Sequence, residues 1–218
     1  RSSIEISGRV SVENRGTDAT DFSAVVVALT PDVPGPVDAT LSTSALGLPK
    51  AVASVAKDGT FTLRDVLPWD YRVRIANVRG GYAKSARLAN KDVLSQILRV
   101  EGPVTEPLEI VLATDTGRLD GRVVDDNREN APGTHVALVP NERQRHDLYF
   151  AGIASASARF QFLAVPPGRY KLLAVAGDVP DGAWLDPDFV SIYESRGLPV
   201  EVTSESSENY EIKAITEQ

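Results

Sequence analysis

A weak internal repeat constrains the fold of this chain more than any other feature. Gly8-Arg9-Val10 is answered by Gly121-Arg122-Val123, and Ala28-Leu29-Thr30-Pro31 by Ala137-Leu138-Val139-Pro140. The longest match sets the run from Phe61 to Tyr71 against the run from Phe160 to Tyr170, with Phe, Val66/Val165, Pro68/Pro167 and Tyr in the same spacing. Gly81-Tyr82 then answers to Ala183-Trp184. Four matched segments in one order imply two similar modules rather than one large domain, and 218 residues suffice for two of about 100 each.

Each copy reads as strands. Arg72-Val73-Arg74-Ile75 alternates in polarity, Tyr170-Lys171-Leu172-Leu173 runs more apolar, and both lead into Gly or Asn turns. Asp58-Gly59 is a hairpin signal, because glycine accepts the positive φ such turns require. The second copy has Ala156-Ser157-Ala158-Arg159 there, which predicts a different turn. Leu108–Leu112 and Tyr210–Ile215 close the copies as final strands. Short strands with 14 Pro and 16 Gly predict an all-β chain of two tandem Greek-key-type β-sandwich domains. One short helix is expected in the second, capped by Asp186, with Pro187 in its first turn, Gly197 at its exit, and Phe189, Ile192 and Tyr193 on one face. The boundary falls near Thr114–Gly117, giving domains 1–115 and 116–218, and residues 32–48 form the longest loop.

The pattern G-[KR]-V … V-x-L-x-P … D-G-x-F-x-[LF]-x-x-V-x-P-G-x-Y resembles the carboxypeptidase regulatory-like domain, a transthyretin-like β-sandwich. The stretch from Trp184 to Gly197 resembles the version common in large exported bacterial proteins. The resemblance covers nearly the whole chain. It implies a non-catalytic module found beside peptidases, outer-membrane receptors and surface proteins, and therefore an extracellular or cell-surface location. The departure is Trp69, which stands where the pattern has the glycine present as Gly168.

Composition excludes several functions. There is no Cys for a disulfide or thiolate site, and no apolar run near the ~20 residues a membrane helix needs. A chain that opens on Arg1 and contains no Met reads as a piece of a longer product. The net charge of −7 sits in the second half: residues 1–114 carry 13 basic and 13 acidic residues, residues 115–218 carry 10 and 17. Net acidity argues against nucleic acid as a partner.

The chemistry-bearing residues favour bland readings. His135 alternates with Val136 and Leu138 and should face solvent, and neither it nor His146 has zinc-ligand spacing. Ser54-Val55-Ala56-Lys57 matches an acylation motif but reads as a strand entering a hairpin. Two acidic clusters, Asp125/Asp126/Asn127/Glu129 and Asp181/Asp186/Asp188, lack EF-hand spacing and read as solvated turns. The opening strands Ile6–Val12 and Leu119–Val124 contain no Lys for a Lys–Asn isopeptide bond. No catalytic residue, metal site or cofactor is expected.

Candidate binding residues are Trp69, as a stacking or anchoring aromatic, and a basic stretch of Arg72, Arg74, Arg79, Lys84 and Arg87. Arg72 and Arg74 share one strand face, for which a solvated surface is the plain alternative. The expected partners are another protein or neighbouring copies of the chain, stacked head to tail through charge asymmetry. A carbohydrate on Trp69 is the runner-up, and an accessory role to an enzyme outside this segment is the third reading.

Overall fold

The computed structural model describes residues 3–13, 21–32 and 50–216. The loop expected at 32–48 falls, Asp32 apart, outside the described residues. The chain is all-β with one short α-helix and resolves into two compact units, the first closing at Thr114 and the second opening at Asp115.

The first unit contains β1 (Ile4–Val12), β2 (Val26–Pro31), β3 (Ala51–Ser54), β4 (Thr60–Val66), β5 (Trp69–Ala76), β6 (Tyr82–Leu88), β7 (Lys91–Asp92), β8 (Leu98–Val100) and β9 (Leu108–Ala113). They form two sheets, β4-β1-β9-β6-β7 and β3-β2-β5-β8. Alternation decides what is inside: Ile6, Val10, Leu63, Leu108 and Ile110 of one sheet meet Val27, Leu29, Tyr71 and Val73 of the other in a single core.

The second unit contains β10 (Gly117–Val124), β11 (His135–Pro140), β12 (Phe150–Ile153), β13 (Arg159–Val165), β14 (Gly168–Val175), α1 (Pro187–Glu194), β15 (Leu198–Val202) and β16 (Ser207–Lys213). Its sheets are β13-β10-β16 and β12-β11-β14-β15. In both units the first strand lies between an antiparallel neighbour and a parallel last strand, β1 with β9 and β10 with β16.

The repeated residues lock these sheets. Phe61 lies opposite Gly8 and Phe160 opposite Gly121. A Cβ on Gly8 would fall 2.2 Å from the Phe61 ring and 2.5 Å from the Leu108 carbonyl; one on Gly121 would fall 2.3 Å from the Phe160 ring and 2.4 Å from the Tyr210 carbonyl. Glycine is there because the ring and the parallel neighbour occupy its side-chain space. Both tyrosines donate their hydroxyl back four residues, Tyr71 to Leu67 O at 3.0 Å and Tyr170 to Pro166 O at 2.8 Å. Burial raises the Tyr71 pKa, opposed by the bond to Leu67.

Several expectations are corrected. The turn before β13 does not differ from the one before β4. Gly59 N–H donates to Ala56 O and Ala56 N–H to Thr60 O; Ala158 N–H donates to Ser155 O and Ser155 N–H to Arg159 O. Ala158, itself buried, adopts φ 58° where Gly59 has 83°, so the same turn is kept without glycine.

The helix is capped by Asp186, which accepts from Asp188 N–H, and it ends at Glu194 with Ser195 as right-handed C-cap; Gly197 closes the exit by donating its N–H to Glu194 O at 3.2 Å, without a left-handed φ. Its buried residues are Val190 and Tyr193, with Phe189 half-buried, whereas Ile192 is 60% exposed. The buried arc centres between Phe189 and Val190, and at ~100° per residue this turns Ile192 away.

The helix also changes what is core. Val136 and Leu138 enter the sandwich, while Ala137, Val139, Leu173 and Val175 on the opposite face are sealed under Val179, Trp184, Val190 and Tyr193. The face of His135 is therefore a second core, not solvent, and His135 itself is half-buried. Tyr82 and Trp184 are not equivalent either. Tyr82 starts strand β6, while Trp184 sits buried in a 3-10 turn, Ala183–Leu185, edge-on to Phe189 at 5.5 Å.

Candidate functional site

Trp69 opens β5 opposite Val100 and is 43% exposed beside Leu67, itself 37% exposed. The corresponding Gly168 has no positive φ, and a Cβ there would meet the Tyr170 ring at an ordinary 3.5 Å. Nothing in the backbone demands glycine at this position, which is why tryptophan is tolerated.

The basic stretch does not form one surface. Arg72 and Arg74 project from β5, in the four-stranded sheet, whereas Lys84 and Arg87 belong to β6 in the other sheet, and Arg79 lies in the turn between them. Neighbours in sequence are thus divided between two sheets because the β5–β6 connection crosses the sandwich. Most of this charge is already answered within the unit. Arg72 Nε donates to Asp32 Oδ1 at 2.7 Å, and Lys84 Nζ donates to both carboxylate oxygens of Glu13 at 2.6 Å. Arg74 is half-buried and also engaged. Arg87 is exposed, in register with Asp92 and Glu109.

The other singled-out groups have structural tasks. Asp125 Oδ1 accepts from the N–H groups of Asn127 and Glu129, closing the turn after β10. Lys213 pairs with Asp126, and Asp186 caps α1. Ser54 ends β3 and Lys57 lies in the following turn, on no shared helix face. His146 packs edge-on against Tyr149 at 6.1 Å. Among the described residues no three or more His, Cys, Asp or Glu side chains converge as metal ligands, and no helix is long and apolar enough to cross a membrane.

Two surface features were not anticipated from the sequence. On the outer face of β10 and β13, Arg118 and Gln161 both donate to Asp120. The Arg118 hydrogen bond, then that of Gln161, holds the Asp120 carboxyl below the usual carboxylate range. Beside this cluster runs a groove of about 680 Å³, one wall of which is Ala151-Gly152-Ile153 of β12. β12 forms the edge of its sheet, and Ile153 is 63% exposed. An uncharged four-residue run, Phe150 to Ile153, was the signal in the sequence.

No protein-family model matches the chain, and no curated protein sequence does. Solved structures resemble it distantly. The TIE protein of Bacillus anthracis is 13% identical over 98% of this chain and 34% of that one, with a TM-score of 0.34. The minor pilin GBS52 of Streptococcus agalactiae is 13% identical over 96% and 94%, TM-score 0.37. The shaft pilin SpaA of Lactobacillus rhamnosus GG is 12% identical over 97% and 98%, TM-score 0.31. The chain thus spans about a third of the first of these proteins. Likenesses of this size do not extend to what a chain binds or does.

Proposed function

We propose that the chain is a non-catalytic structural module of an exported, cell-surface bacterial protein. In this reading it consists of two carboxypeptidase regulatory-like sandwiches, residues 1–115 and 116–218, that serve as a tension-carrying spacer and assembly unit. The observation that carries the reading is the pairing of terminal strands. β1 and β9 run parallel from Gly8/Leu108 to Val12/Leu112, and β10 and β16 from Arg118/Ser207 to Val124/Lys213. Tension entering a unit through its first strand and leaving through its last loads the whole parallel ladder in shear. All of its hydrogen bonds must then fail together instead of one at a time. The residues shared between the units support this, since Gly8/Phe61, Gly121/Phe160, Tyr71 and Tyr170 all serve the packing.

The test is single-molecule force spectroscopy with handles at the two ends. Two discrete unfolding events are expected, and smooth extension at low force would count against a mechanical role. A second reading, glycan binding, rests on the half-exposed Trp69. It expects saccharide-dependent quenching of tryptophan fluorescence that disappears in Trp69→Ala.

A further inference from the structure

The second unit has four free strand edges among the described residues, β13, β16, β12 and β15. A bare edge is a template for another chain, and natural proteins blunt it with charge, proline or a bulge. Three of these four are blunted. β13 carries Arg159 and a bulge at Leu163–Ala164, with Ala164 at φ 53°. β16 carries exposed Glu208, Glu211 and Lys213, and β15 carries exposed Pro199 and Glu201. β12 carries no charge, proline or bulge, and only its shortness, four residues, limits it as a template. Its sequence is Phe150-Ala151-Gly152-Ile153, the last three residues are exposed, and the preceding Tyr149 is already extended at φ −83°, ψ 128°.

We propose that this edge is a self-recognition site, at which β12 of one copy pairs antiparallel with β12 of a second copy about a two-fold axis at Ala151. The proposal deepens the reading of the chain as an assembly unit by naming its contact. A two-fold axis perpendicular to the sheet sets residues of the same face opposite each other. Centred on Ala151, it places Phe150 opposite Gly152 of the second copy, Tyr149 opposite Ile153, and Ala151 opposite itself. The Phe–Gly pair sets opposite each other the same residue types that face each other at Gly8/Phe61 and Gly121/Phe160. Space exists for it: a Cβ on Gly152 would meet nothing nearer than Phe162 at 3.9 Å. On the other face the exposed Ile153 gains an aromatic neighbour, a favourable cross-strand pair. No charge opposes a like charge in this register. The acidic excess of residues 115–218 repels from outside the contact, so the pairing strengthens as salt screens it. A head-to-tail contact between basic and acidic surfaces weakens with salt instead.

The register is tested by disulfide trapping, because the chain has no Cys of its own. Residues opposed across an antiparallel pair have Cα atoms about 4.5–5.5 Å apart, within disulfide range. Ala151→Cys should therefore oxidise to a covalent dimer at concentrations where Ile153→Cys does not, although Ile153 is the more exposed. Sedimentation equilibrium of the full chain should show dimerisation that tightens between 0.1 and 1 M NaCl. Ala151→Lys should weaken it at least tenfold and Ala151→Thr should not, with unchanged circular dichroism in both. Equal trapping at the two cysteine positions, or dimerisation indifferent to Ala151→Lys, would overturn the edge pairing. A chain that stays monomeric in high salt would overturn it too. Each of those results leaves the mechanical reading to stand or fall on the force experiment.

Discussion

Replacing Gly121 with alanine should destabilise the second unit by about 3 kcal/mol. The added Cβ would lie 2.3 Å from the Phe160 ring and 2.4 Å from the Tyr210 carbonyl, where contacts below 3.0 Å force something to move. The ring can swing away only by leaving a position that is 7% exposed. The carbonyl belongs to the β10–β16 ladder, in which Gly121 and Tyr210 are in register, and it can retreat only by stretching that ladder. Overpacking of this kind costs about 1–3 kcal/mol, and a weakened backbone hydrogen bond adds about 1. For a unit of ~100 residues, 3 kcal/mol lowers the melting temperature by roughly 12–24 °C. Calorimetry of the intact chain should show one transition shifted and the other in place; Gly8→Ala should shift the transition that Gly121→Ala leaves alone. Repeating Gly121→Ala in a Phe160→Leu background separates the two clashes. With the ring gone, the carbonyl conflict should still cost at least about 1 kcal/mol. A cost below about 0.5 kcal/mol in the native background, or full relief by Phe160→Leu, would refute the account of why glycine stands there.

Residues 117–218 expressed alone should fold cooperatively, since their core is built from their own strands; broad amide dispersion in NMR spectra checks this. Tyr170→Phe should cost about 1–2 kcal/mol in urea denaturation by stranding the buried Pro166 carbonyl. Trp184→Ala should cost about 3–5 kcal/mol and release α1 from the sheet, seen as lost near-ultraviolet dichroism. The Asp120 carboxyl has a lower pKa folded than unfolded, so its contribution is complete above the ordinary aspartate value of 3.8 and is lost as pH falls through its depressed folded pKa. Thermal melts should therefore show Asp120→Asn narrowing the gap in stability between pH 5 and pH 2.5.

How much was legible in the sequence differs from element to element. The strands and the all-β class follow from alternation and from Gly and Pro placement, local properties that need no partner to be read; the Ala158 turn, which lacks glycine, did not. The Phe–Gly and Tyr–carbonyl locks appeared only as repeated letters, yet those letters marked the right residues. The helix start was readable because a cap is a local hydrogen bond, from Asp188 N–H to Asp186. Its buried face was not, because which arc of a helix turns inward depends on the sheet it lands on. The burial of β11 and β14 on both faces left a trace in the unbroken runs Val136–Val139 and Leu172–Val175, which alternation alone misreads as one-sided.

The grouping of Arg72, Arg74, Lys84 and Arg87 failed for a related reason. Nearness along the chain is not nearness in space when a connection crosses from one sheet to the other. The sequence by itself determined which residues could form strands and where they turn, since these are set by short-range sterics and periodicity. Tertiary structure alone decided which strand lies at an edge, which positions admit only glycine, which charges are already answered, and which apolar run, the one at β12, stays exposed.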